Sequence, residues 1–249
     1  MNDSRLATIR GLLAKAEATD FPAEAEAFTA KAAELMSRYA IDEAAVWATD
    51  RSSGSPTDRM ITLHRPYLAQ KAVLVAEVAA VFGCRAIRMM VGASSPTELV
   101  SVVGYGSDLD LVEAMVTSLL VQAATAMVVD QPSGLTSSAA ASFRRSHLMG
   151  FIETATSRLK EQHRSSIAER EAQQRAGAGP SGGASQSMAL VLADRGAEVT
   201  SEFRRRFPHV RHSRVSVGSS SGGRRSGQLA GSRADLGSAG LRSRGVIGG

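Results

Sequence analysis

Residues 97–130, TELVSVVGYGSDLDLVEAMVTSLLVQAATAMVVD, decide the fold class. Residues 97–103 read as a strand, and Gly104-Tyr105-Gly106 turns the chain. From 107 to 130 the apolar residues Leu109, Val112, Val116, Leu119, Ala123 and Met127 return at helical spacing and mark a buried stripe. Upstream, 59–64 and 84–91 read as further strands. Between them, 66–82 reads as a helix that is apolar nearly all round past residue 72, the mark of a buried element. Downstream, QPSGLTSS is a loop and 139–175 a long helix, followed by a flexible link across 176–186. MALVLAD (188–194) reads as a strand and 195–206 as a helix. The expectation is an α+β fold, a small mixed β-sheet packed with long α-helices.

Ahead of this region stands an all-helical unit. Leu6, Ile9, Leu12, Leu13 and Ala16 share one face of a helix over 4–18. A second helix starts at Pro22, where a first-turn proline loses no needed hydrogen bond, and Glu24 and Glu26 complement the positive end of its dipole. Ala25, Phe28, Ala32, Leu35, Met36 and Tyr39 form its stripe, and 42–49 reads as a third, short helix ending near Trp47. The polar run DRSSGSPTD (50–58) closes the unit. The domain expectation is a helical hairpin at 1–49, an α+β domain at 59–206, and a basic, largely disordered tail at 207–249. From 213 onward the Ser/Gly/Arg-rich chain is mostly unable to build a core, with one short helix expected in GQLAGSRADLG.

The stretch IRGLLAKAEATDFPAEAEAFTAKAAELMSRYAID resembles domain of unknown function (DUF) 2786, a prokaryotic and phage family. VVGYGSDLDLVEAMVTSLLVQA, FRRSHLMGFIETATSRL and MALVLADR are similar to a second uncharacterised domain that accompanies it in actinobacterial members. The resemblance implies no activity, substrate or site residues.

Charge is distributed unevenly. Residues 204–249 hold ten arginines (Arg204, Arg205, Arg206, Arg211, Arg214, Arg224, Arg225, Arg233, Arg242 and Arg244) against one acid, Asp235. That is a net +9, which leaves −4 for the rest of a chain whose total is +5. A Gly/Ser-spaced polycation has phosphates as its natural partners, and with Phe207 its one aromatic, base stacking has little to work with. The single cysteine, Cys84, allows no internal disulfide and no zinc thiolate set. The longest apolar runs stay below the roughly 18 residues of a membrane span, and the N-terminus has no signal-peptide pattern. Together these lead us to expect a cytoplasmic protein.

Each motif that could carry chemistry has a simpler reading beside it. Gly104-Tyr-Gly106-Ser-Asp108 follows a strand and opens a helix, as a dinucleotide fingerprint does, but Leu109 replaces the third glycine and two acids stand where a pyrophosphate would sit. Asp108, Asp110 and Glu113 resemble a carboxylate metal group, yet first-turn acids also serve the helix dipole. His209 and His212 offer two imidazoles with no further ligand nearby. Accordingly, no metal, cofactor or catalytic residue is assigned. In FRRSHLMGFIETATSRL, Arg144 falls inside the buried arc, with His147 and Arg158 at its edge. Two readings stand. Either Arg144 pairs with an acid such as Glu113 or Asp130, or Arg144, His147 and Arg158 line an anion or nucleic-acid pocket.

From these features the expected function is non-enzymatic binding. Nucleic acid would be held by Arg204, Arg205, Arg206, Arg211, Arg214, Arg224 and Arg225, and a protein partner by the N-terminal hairpin. The alternative is an enzyme built around Arg144 and His147.

Overall fold

The computed structural model describes residues 2–19, 22–50, 54–89, 95–177, 187–211, 215–234 and 236. The fold is α+β, with seven helices and three strands among the described residues. In chain order these are α1 (Asn2–Ala18), α2 (Pro22–Thr49), β1 (Thr57–His64), α3 (Leu68–Val81), β2 (Arg85–Met89), β3 (Thr97–Gly104), α4 (Gly106–Asp130), α5 (Ser137–Gly177), α6 (Met188–Arg206) and α7 (Ser221–Arg233). The chain divides into two compact units, one of 1–36 with 235–249 and one of 37–234.

The first unit contains α1 and the start of α2. Its buried positions are Leu6, Ile9 and Leu13 on α1 and Ala32 and Met36 on α2, the helical repeat expected of two amphipathic helices. Lys15 lies over the Phe28 ring at 5.8 Å. No break separates 42–49 from α2: the helix runs on to Thr49, because AIDEAAVWAT contains neither glycine nor proline to stop it. Asp42, within this continuous helix, meets Arg170 of α5 at 3.1 Å.

In the second unit the sheet order is β1-β3-β2, and both pairings are antiparallel rather than mixed. The central strand β3 is buried from Val100 to Gly104. By pleat alternation Ser101 and Val103 face one way and Val100 and Val102 the other. Val103 packs with Trp47 and Tyr105 and with Met188, Val191 and Val199 of α6. That contact explains why 188–194 is not a strand. A strand would bury Met188, Leu190 and Leu192 on one face, whereas Leu190 is 59% exposed and Met188, Val191 and Val199 are buried together at helical spacing.

The broadest helix–helix contact is between α5 and α7. Residues 221–234 therefore belong to the packed structure, in contrast to a tail unable to build a core. The packing comes from absent side chains. Gly223, Gly227 and Gly231 recur every four residues on α7, and a Cβ on each would meet backbone of α5 at 2.6 Å (Phe143 O), 1.9 Å (His147 O) and 2.7 Å (Phe151 O). Gly150 on α5 answers them, lying against Arg224 O. The short helix expected in GQLAGSRADLG is present but begins earlier, at Ser221, whose preceding Ser220 caps Gly223 N–H.

Candidate functional site

Arg144, His147 and Arg158 rise from one face of α5 but serve three different partners. Half-buried Arg144 donates from Nε to Gln131 Oε1 at 2.5 Å. Neither acid foreseen for it is available: Asp130 is bound to His147 and Glu113 to Arg59. His147, with no exposed surface, places Nε2 3.0 Å from Asp130 Oδ2, which also accepts from Ser226 Oγ at 2.8 Å. Although the residue types are those of a catalytic triad, the order is not. The carboxylate sits between serine and imidazole, so the hydroxyl has no base to activate it. Partial burial opposes ionisation of Asp130, but hydrogen bonds from His147 and Ser226 outweigh it and hold the carboxyl below its ordinary value. The cluster ties the C-terminus of α4 to α5 and α7. Arg158 donates from Nη1 to the carbonyls of Gly231 and Ala234 at the end of α7, where a cation also suits the helix dipole.

Apart from Arg233, which donates from Nε to the Leu229 carbonyl of its own helix at 3.2 Å, the described arginines after 203 fall into two groups. Arg205 and Arg206 both bind Glu202, and Arg206 also reaches Asp58. Those arginine hydrogen bonds hold the Glu202 carboxyl down at about 2. Arg224 meets Glu153 of α5 at 2.6 Å. Arg204, Arg211 and Arg225 are exposed, with no partner among the described residues. Arg214 and His212 lie outside the described residues.

One buried polar group was not visible in the sequence. Asp108, in the first turn of α4, accepts from Arg195 Nη2 of α6 at 2.8 Å, and both side chains are buried. The Arg195 guanidinium lies 4.2 Å from the centre of the Tyr105 ring, a cation–π contact. The Tyr105 hydroxyl in turn donates to Glu198 at 2.5 Å. Burial pushes the Asp108 carboxyl up to about 7; Arg195 pulls it down, and Glu43 adds to the rise. The turn that resembled a dinucleotide fingerprint thus has its anion position filled by the chain's own aspartate. Gly104 serves packing here, since a Cβ on it would lie 2.3 Å from Cys84 Sγ. Arg59 binds Asp110 at 2.6 Å and Glu113 at 3.1 Å, so each acid of the carboxylate group has an arginine. Among the described residues no cluster of three or more His, Cys, Asp or Glu is placed to hold a metal ion.

A cleft of about 420 Å³ lies between α3 and α5, lined by Val73, Glu77, Met149, Ile152 and Lys160 among others. Neither Arg144 nor His147 lines it.

Residues 5–43, within the N-terminal helices, match the model of a family described as protein of unknown function (DUF2786). No curated protein and no solved structure matches the chain.

Proposed function

We propose that the protein is a non-enzymatic binding protein that associates with nucleic acid through its arginine-rich C-terminal segment. The observation carrying this reading is the charge asymmetry, +9 over 204–249, together with the exposure of Arg204, Arg211 and Arg225 without acidic partners among the described residues. Arg205, Arg206 and Arg224 already have carboxylates, so their contribution is smaller. Contacts are to phosphates and independent of sequence. In the same reading the N-terminal hairpin serves a protein partner, and the setting is cytoplasmic. The placement of His147 supports binding over catalysis, because an imidazole without exposed surface meets no substrate.

The test is an anisotropy titration of the full chain with random duplex DNA and single-stranded RNA. Wild type is expected to lose on the order of 10³-fold in affinity between 50 and 200 mM salt if roughly six phosphates are contacted. Replacing Arg204, Arg211 and Arg225 by Gln together should lower the salt slope on duplex DNA by about 2.7, roughly 0.9 per contact. Unchanged binding by the triple variant, or no binding by wild type at 50 mM salt, would overturn the reading.

A further inference from the structure

Three of the arginines expected to hold nucleic acid are already held by carboxylates of the chain itself. Arg205 donates to both carboxylate oxygens of Glu202, from Nε at 2.7 Å and from Nη2 at 2.7 Å. Arg206 donates to the same carboxylate from Nε at 2.5 Å and also reaches Asp58 of β1. On α7, Arg224 Nη2 lies 2.6 and 2.9 Å from the two oxygens of Glu153 on α5. Beside Arg205 and Arg224 in sequence stand Arg204 and Arg225, both exposed and without a partner among the described residues. The basic segment thus holds open cations next to closed ones.

Whether a phosphate takes a paired guanidinium is a competition between two anions. Carboxylate and phosphate meet the arginine fork with the same geometry and the same charge assistance. The carboxylate, however, is tethered, at an effective concentration on the order of millimolar. It also repels any phosphate that comes within the Debye length, about 10 Å at 0.1 M salt. Glu202 grips two guanidiniums at once, so displacing it breaks three hydrogen bonds. Hydrogen bonds from Arg205 and Arg206 hold its pKa at about 2, which keeps it an anion at neutral pH. We propose that Glu202, Asp58 and Glu153 are internal competitors for phosphate that hold Arg205, Arg206 and Arg224 back from nucleic acid. On the nucleic-acid reading, on which this rests, affinity is then set by these carboxylates as well as by the number of arginines. Removing a competitor turns a closed cation into a phosphate contact.

The experiment is a salt titration with random duplex DNA on full-length Glu202→Gln, Glu153→Gln and the double variant. Glutamine keeps the shape of the acid and drops its charge. Glu202→Gln frees Arg205, since Arg206 retains Asp58, and Glu153→Gln frees Arg224. Each single variant is expected to bind more tightly than wild type at 50 mM salt. Each should steepen the salt slope by about 0.9, and the double variant by about 1.8. Glu169→Gln removes an exposed acid of α5 that pairs with none of these arginines among the described residues, and should leave the slope unchanged. If wild type binds and the double variant binds no better, the competition is overturned and the nucleic-acid reading stands. An equal gain from Glu169→Gln overturns it too, because net charge and not pairing would be the cause. Variants that bind where wild type does not would support the competition and overturn the reading for the wild-type chain. No binding by any of them overturns both. Thermal melts check folding, and should Glu202→Gln unfold, Glu153→Gln alone decides the outcome.

Discussion

Gly227 of α7 rests directly on the backbone of His147 in α5: a Cβ at Gly227 would stand 1.9 Å from the His147 carbonyl oxygen. Neither atom can yield, since both belong to helix backbone. Gly227→Ala is therefore expected to cost about 3 kcal/mol, the upper end for overpacking. Gly222→Ala, on the same helix with nothing within 4 Å, should be neutral or gain up to about 1 kcal/mol from helix propensity. Urea unfolding of the two variants checks the contrast; equal effects would mean that α7 is not docked as described.

Asp108 and His163 should make opposing contributions to the pH dependence of stability. Burial raises the Asp108 carboxyl from 3.8 to about 7, so in that interval the folded chain holds a proton that the unfolded chain has released. Stability from this group falls as pH rises. Burial lowers His163 from 6.5 to about 4, so there the unfolded chain holds the extra proton and stability rises with pH. Each slope is about 1.36 kcal/mol per pH unit. Glu202, held at about 2, titrates below this window. Wild type is expected to be nearly flat between about pH 4.5 and 6.5. Asp108→Asn should leave a rising profile and His163→Phe a falling one, read from denaturation midpoints at three pH values.

Arg144→Met should cost only about 0.5–1.5 kcal/mol, the value of one hydrogen bond, because its partner Gln131 is neutral. A buried ion pair would have lost about 3–5 kcal/mol. Asp130→Ala should cost more, about 2–3 kcal/mol, since His147 and Ser226 both lose their acceptor. The reverse ranking in chemical denaturation would show that the sequence-based pairing of Arg144 was right.

Most elements of the second unit were legible because their apolar residues repeat cleanly. Strand 59–64 became Thr57–His64, helix 107–130 became Gly106–Asp130, and 139–175 became Ser137–Gly177. MALVLAD misled because a short apolar run has no period of its own; packing against Val103, Trp47 and Tyr105 made it a helix. That error also hid Arg195, whose partner Asp108 lies 87 residues away and shares no local pattern with it. Helix α7 was only partly legible. Its glycines lower helix propensity and read as a disordered tail, yet Gly223, Gly227 and Gly231 at four-residue spacing were a signal of close helix packing. For Arg144 the helical face was legible only in part: Arg144, placed inside the buried arc, is half-buried, whereas His147, placed at its edge, has no exposed surface, and the partner of Arg144 depended on Asp130 being already engaged by His147.

Cys84 is the only thiol in the chain, and it sits at 2% exposure behind Gly104, where β3 turns into α4. Burial, with Asp108 nearby, pushes its pKa well above the ordinary value, so the folded chain presents almost no thiolate to solvent. The protein thereby carries a built-in clock. A soluble alkylating reagent reacts once per molecule and only when the strand–helix junction opens. The labelling rate reports how often that junction breathes, with no probe introduced and no background from a second cysteine.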